Sequence, residues 1–242
     1  MSSIAILNKS VTLEQKSTYV QSMFDSIAGR YDLLNTLLSL GIHKHWREFA
    51  IRCAAVSNGD SVLDGCAGTG ELSAVARQRV GASGQIVPVD FSLQMLQAGS
   101  VRYKAAHCEP LQVDVLHLPF EDATFNAAIV GFGLRNVADP ACGLAELARV
   151  VKPGGRVVVL EFSTPTTPWF AKIFELYSKT VMPVLGRIIS GQQEAYTYLP
   201  ESVKQWRSRD QLKAMMIEVG LLQPRIIDLT FGIACIHVGT KP

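Results

Sequence analysis

The sequence carries no excess of either charge: 23 Lys+Arg against 21 Asp+Glu leave a formal net charge of +2. No bulk field favours a nucleic-acid partner, and none is expected. The five cysteines, Cys53, Cys66, Cys108, Cys142 and Cys235, are scattered and form no CxxC pair. That excludes a recognisable disulfide framework and a structural zinc module, and it suits a reducing cytoplasm. The first residues, MSSIAILNKSVTLEQK, lack the apolar stretch of a signal peptide. No run approaches the ~18 apolar residues that a membrane span requires. There is no internal repeat and no low-complexity tract. The chain is expected in the cytoplasm, and the composition leaves a peripheral contact with the inner face of the membrane, and a homodimer, open.

What is present is an apolar chain of 242 residues, 48% hydrophobic and 18% charged, enough for one domain with a substantial core. From Ser61 onward, short β-rich runs alternate with helical patterns. SVLDGCA, QIVPVD, PLQVDV, NAAIVGFG and RVVVLEF read as strands. ELSAVARQRV, SLQMLQAGSVRYKAA and GLAELARVV read as the helices among them. Strands joined by crossover helices imply parallel pairing in a doubly wound sheet. After the helix QLKAMMIEVGL, the runs PRIIDLTF and IACIHVGTK are joined too tightly for a crossover and should pair as an antiparallel hairpin. The sequence thus predicts a single α/β domain over 1–242 with a mostly parallel seven-stranded sheet. A helical cap at about 13–55 precedes it, and a helical lid is inserted at about 165–206.

The turn after the first strand, VLDGCAGTGE, is the candidate ligand site. A glycine turn between strand and helix supplies a tight bend, close backbone approach and a helix N-terminus aimed at the ligand. The glycine spacing is not that of a dinucleotide site. Asp64 before the turn and Glu71 after it would repel a pyrophosphate and suit a cation. S-adenosyl-L-methionine carries a sulfonium and an ammonium and no phosphate. Asp90, about twenty residues on at the next strand end, can accept from both ribose hydroxyls; helix capping, shared with Ser92, is its other reading. Asp114, ending the third strand before Val115, can accept from an adenine amino group, or serve as a turn residue. Three acids at successive strand ends, where ligands sit in such sheets, point to a class I S-adenosylmethionine-dependent methyltransferase of Rossmann-like fold.

Longer stretches narrow this further. YDLLNTLLSLGIHKHW (Tyr31 to Trp46) and RVVKPGGRVVVLEFS (Arg149 to Ser163) resemble the two signatures of the C-methyltransferase family of menaquinone and ubiquinone biosynthesis. GFGLRNV and YTYLPES are similar to its fourth-strand loop and late insertion. Cys66, Asn126, Leu34 and Trp206 depart from the family pattern, and Cys66 should slightly crowd the cofactor pocket. The resemblance implies methylation of a ring carbon of a prenylated hydroquinone, demethylmenaquinol first. The alternatives are a 2-polyprenyl-6-methoxy-1,4-benzoquinol and an inactive scaffold subunit. It implies cofactor contacts from Asp64, Gly68, Thr69, Gly70, Asp90, Phe91, Met95, Asp114, Val115 and Gly131, and no metal.

A quinone ring is too electron-poor to attack a sulfonium methyl, whereas a hydroquinol that loses a hydroxyl proton can. For that chemistry the sequence offers Arg135, Asn136 and Tyr31, with Asp32 beside it. Arg135 stays protonated and is read as a stabiliser of the phenolate, or as a surface ion pair. His43, His45 and His117 are further candidates for proton handling, with a structural role as the stronger reading of each. The apolar run from Trp169 to Ile189, with Phe170, Ile173, Phe174 and Tyr177 at helical spacing, reads as core packing or as an entry for the prenyl tail.

Overall fold

The computed structural model describes residues 12–190 and 194–242. Seven strands form one sheet: β1 (Ser61–Gly65), β2 (Gln85–Asp90), β3 (Leu111–Gln112), β4 (Phe125–Gly131), β5 (Val151–Phe162), β6 (Leu222–Leu229) and β7 (Ala234–Thr240). Their order is β3-β2-β1-β4-β5-β7-β6. The first five pair in parallel, while β7 runs antiparallel between β5 and β6. The expected α/β class and C-terminal hairpin are therefore present. Order reverses between β1 and β4, which pair from Val62↔Ala127 to Gly65↔Val130. A crevice opens at such a reversal beyond the strand C-termini.

Strand periodicity divides the core. Val62, Ala127, Ile129, Val158 and Leu160 pack on one face with Trp46, Ile51, Leu72 and Ala76. The last four belong to α3 (His43–Ala54) and α4 (Glu71–Val80). Leu63, Ala128, Val130, Val157 and Val159 face the other way, onto Leu144, Leu147, Leu212 and Met216. Those come from α7 (Pro140–Val150) and α10 (Arg209–Glu218). Alternate residues of one strand thus serve opposite layers, as a two-residue period requires. Capping fixes where two of these helices begin. Asp139 accepts from the amides of Ala141 and Cys142 with Pro140 at the first turn, and Ser208 and Gln211 form a reciprocal box.

A third cluster lies above the crevice. Val20, Met23 and Ile27 of α1 (Leu13–Ile27), Leu34 of α2 (Tyr31–Leu38) and Tyr198 of α9 (Glu194–Gln205) pack together. The remaining helix of the insertion, α8 (Pro168–Ser190), touches α2, and Tyr177 donates to the Leu38 carbonyl at 3.0 Å.

Several element boundaries depart from expectation for local reasons. The third strand ends at Gln112, so Asp114 lies two residues beyond it. The Asp114 carboxylate accepts from the Leu116 amide at 3.0 Å, a turn that ends extended pairing. The helix expected after Asp90 divides at Gly99 into α5 (Leu93–Ala98) and α6 (Ser100–Ala105). A Cβ at Gly99 would lie 2.5 Å from the Thr69 carbonyl oxygen, so glycine lets these helices approach the turn. β5 starts early, at Val151, with a register shift opposite Phe125 and Ala127. Pro88, which has no amide hydrogen to pair, faces the β3 side, where pairing begins only at Val89. Asn126 accepts from the Ser61 amide at 3.0 Å and from Lys152 at 3.2 Å, tying the start of β4 to β1 and β5.

Candidate active site

A cleft opens at this crevice, where ligands sit in sheets of this kind. The glycine turn, the ends of β2 and β4, the loop after β3 and the cap residues Ser17, Phe24 and Tyr31 line it. Of the expected cofactor residues, Gly68, Asp90, Phe91, Met95, Asp114, Val115 and Gly131 are in its wall.

Asp90 is 6% exposed. Its Oδ2 accepts from the Gly68 amide at 2.8 Å and its Oδ1 from the Ser92 amide at 2.9 Å. Burial pushes its carboxyl up to about 6, against those amide bonds. Each oxygen retains a lone pair for an outside donor, so the carboxylate can bind a diol while fixing the turn. Ser92 also caps α5, and its hydroxyl donates to Asp25 of α1.

Asp64 is fully buried. Ser73 donates to its Oδ2 at 2.6 Å, and its Oδ1 has no hydrogen-bond partner. Burial drives its carboxyl up to about 7. A buried carboxyl oxygen without a donor behind a ligand cleft suits a cationic ligand. The cleft wall therefore fits the expected cofactor on its ribose side, with Asp64 buried behind the wall rather than in it.

Other expected residues work from behind the wall. Thr69 is buried and donates to Asp32 at 2.6 Å, and Asp32 pairs with Arg102 at 2.8 Å. Gly70 has φ 80, and a Cβ there would meet the Tyr103 ring at 2.5 Å. Neither lines the cleft; they hold the turn's shape against α6. Glu71 does not stand ready for a cation, because Arg47 pairs with it at 2.7 Å and His43 lies at 3.5 Å. Although burial opposes it, those partners hold its carboxyl below the usual range. Cys66 does line the cleft, with φ 59, and a Cβ at Gly133 would meet its Cβ at 2.3 Å. Burial and surrounding acids push its thiol well up, which keeps it protonated and inert.

Arg135 is not a surface ion pair. It is 8% exposed in a 3₁₀ turn after β4 and pairs with the fully buried Glu161 at 2.6 Å. Glu161 also accepts from the Phe162 amide at 2.9 Å. Asn136 lines the cleft, donates to the Phe132 carbonyl at 3.3 Å and accepts from Tyr198 at 3.0 Å. Burial raises the Tyr31 phenol, so it stays a donor at neutral pH. His45 and His117 are exposed, and His43 is buried against Ser39.

Sequence reasoning missed Glu161, Asp25, Ser73, Arg47 and Tyr198. Only Glu161 carried a signal: a lone acid in the strand RVVVLEF, which burial forces to find a cation. The others depend on packing between distant segments.

Residues 12–241 match the ubiE/COQ5 methyltransferase family. The ubiquinone/menaquinone biosynthesis C-methyltransferase UbiE of Citrifermentans bemidjiense is 44% identical over 233 residues, 95% of this chain and 99% of its own length. The protein of the same name from Hahella chejuensis is 39% identical over 96% of this chain and 95% of its own. A solved S-adenosylmethionine-dependent methyltransferase from Aquifex aeolicus superposes with a TM-score of 0.60 at 15% identity, covering 81% of this chain and 89% of that one. The [4+2]-cyclase SpnF superposes at 0.66 with 17% identity, over 96% and 97%. Identities this low speak for the fold alone, and the cyclase shows that the fold does not dictate one chemistry.

Proposed function

This chain belongs to the ubiE/COQ5 methyltransferase family, and from that premise we propose that it methylates demethylmenaquinol to menaquinol. It is an S-adenosylmethionine-dependent methyltransferase, and its relatives carry the name of quinone-biosynthesis C-methyltransferases. The observation that carries the reading is the acid-walled cleft at the β1/β4 reversal, closed on one side by the YD segment of the signature. The 2-polyprenyl-6-methoxy-1,4-benzoquinol of the ubiquinone pathway is the second acceptor, since the relatives' name covers both. Parallel assays with short-chain acceptors test the choice: methyl transfer to the naphthoquinol at a higher kcat/KM than to the benzoquinol is expected, and the reverse order reassigns the acceptor.

S-adenosylmethionine supplies an electrophilic methyl group that needs no metal to activate it. The chain's residues must then bind, orient and handle a proton. Asp90 would take the ribose hydroxyls with its remaining lone pairs, and Asp114 would take the adenine amino group. Asp64 places negative charge behind the cationic end. Tyr31 and Asn136, both in the cleft lining, would orient the ring. Arg135, already charge-compensated by Glu161, offers hydrogen bonds to the phenolate oxygen, with water carrying the proton away.

The cationic role of Asp64 has a pH signature. Its folded-state carboxyl lies at about 7, above its unfolded value, so without ligand it adds stability at low pH that is lost as pH rises toward about 7. A cationic ligand binds the ionised form. Cofactor affinity is therefore expected to rise severalfold between about pH 6 and pH 8, with proton release visible by calorimetry in buffers of different ionisation enthalpy. Asp64→Asn should flatten that profile; a flat wild-type profile contradicts the assignment.

For the prenyl tail we propose the face where α2 meets α8. Leu33 and Leu37 of α2 and Leu40 just after it are exposed, as are Trp169, Ile173 and Leu176 of α8 and Phe231, which packs against Trp169. Phe170 stacks on Phe231 and Phe174 inside this face. Lys172 is exposed on the same helix. The side chains of Lys179, Met182, Val184, Leu185, Arg187, Ile188 and Ile189, expected to extend it, lie outside the described residues. No described helix is long and apolar enough to cross a membrane, so the contact would be peripheral. Co-sedimentation with anionic vesicles should fall several-fold in the Trp169→Ser/Ile173→Ser double variant. Unchanged sedimentation removes the membrane contact.

A further inference from the structure

A described hydroxyl of the inserted helix α9 bonds a residue that lines the cofactor cleft. Tyr198 is 2% exposed, and its phenol donates to Asn136 Oδ1 at 3.0 Å. Burial drives that phenol up to about 12, so it remains a donor throughout the neutral range. Its ring lies 6.1 Å from the Tyr19 ring of α1 and packs among Val20, Met23, Ile27 and Leu34.

At the far side of this bond, the amide of Asn136 donates to the Phe132 carbonyl. Both residues line the cleft just beyond β4. The side-chain amide is thus held at both ends, its acceptor committed to α9 and its donor to the cleft wall. Helix α1 is fastened to the same wall, since Lys16 donates to the Val137 carbonyl at 2.8 Å. Two further side-chain bonds tie α1 to the segment after β2: Gln21 donates to the Phe91 carbonyl, and Asp25 accepts from Ser92. Apolar packing against α1 alone would let α9 slide; a buried hydrogen bond with one geometry would not.

We propose that Tyr198 is a positioning residue that couples α9 to the cofactor cleft through Asn136, so that cofactor occupancy and the ordering of α9 favour each other. A ligand pressing on Phe132, Asn136 and Val137 fixes the amide that Tyr198 requires. By reciprocity, an ordered α9 tightens the cofactor cleft. The inference rests on the methyltransferase reading and adds that the insertion must be in place before the ring binds beneath it. Tyr198 touches neither cofactor nor ring in this arrangement; it acts through Asn136.

The test is hydrogen–deuterium exchange of residues 194–205 in the full chain, with and without saturating S-adenosylhomocysteine. Couplings of this kind are typically about 5- to 150-fold, and the wild type is expected to show at least about fivefold slowing. In Tyr198→Phe, which keeps the ring, that slowing should fall to within about twofold. Asn136→Ala should show the same loss, and the double variant no more than the single ones. The quinol KM of Tyr198→Phe should rise several-fold with a smaller change in kcat. Equal slowing in wild type and both single variants overturns the proposal. Binding of S-adenosylhomocysteine without any slowing in the wild type overturns it as well and leaves the enzyme reading intact. A wild type that does not bind it removes both.

Discussion

Replacing Asp90 with alanine is expected to weaken S-adenosylmethionine binding by about 100-fold or more. Two losses combine. The carboxylate's free lone pairs are the described acceptors placed for the ribose diol, and hydrogen bonds to a charged group contribute about 1.5–3 kcal/mol each. The same carboxylate holds the Gly68 and Ser92 amides, so its removal also leaves two buried donors unpaired and loosens the turn. Asp90→Asn separates the effects, because its single carbonyl oxygen can keep only one of the two amides. It should therefore bind better than the alanine variant but well below wild type. Titration calorimetry checks both, and an alanine variant within about threefold of wild type would remove Asp90 from the cofactor site.

Glu161→Ala is expected to cost about 3–5 kcal/mol of stability, because it leaves the Arg135 guanidinium buried without a counter-charge. Arg135 Nε already lacks a partner, so the arginine has little with which to compensate. Glu161→Gln retains an acceptor for Arg135 and for the Phe162 amide and should fold with a smaller loss. Its turnover should nevertheless drop, since the orientation of Arg135 depends on the pair. Arg135→Ala should lower turnover far more than cofactor affinity, with a stability loss that mirrors Glu161→Ala. Chemical denaturation beside steady-state kinetics reads these effects separately. A Glu161→Ala protein as stable as wild type would mean the ion pair is not the buried unit described, and equal losses of turnover and cofactor affinity in Arg135→Ala would end its assignment to the ring.

These two residues show what the sequence could and could not disclose. The alternation of strand and helix from Ser61 to Val150, and the tight final hairpin, were legible because hydrophobic period and turn length are local properties. Asp90 was legible because a strand-end acid follows the glycine turn at a fixed distance. The role of Glu71 was misread, since only folding brings Arg47 and His43 of α3 onto it. Gly70 was read as a ligand residue when the Tyr103 ring explains it. Asp114 proved to end no strand, because its own side chain makes the turn that stops pairing. Arg135 looked like a surface or substrate group from its loop; its buried partner lies 26 residues away.

Methyl transfer to a reduced ring in this cleft can be followed in a single assay. Labelled S-adenosylmethionine is supplied with short-chain demethylmenaquinone, with and without a reductant that converts it to the quinol. Label is expected on the ring carbon only when the reductant is present, because only the hydroquinol can attack. Equal label without reductant, or none under either condition while the cofactor still binds, would contradict it.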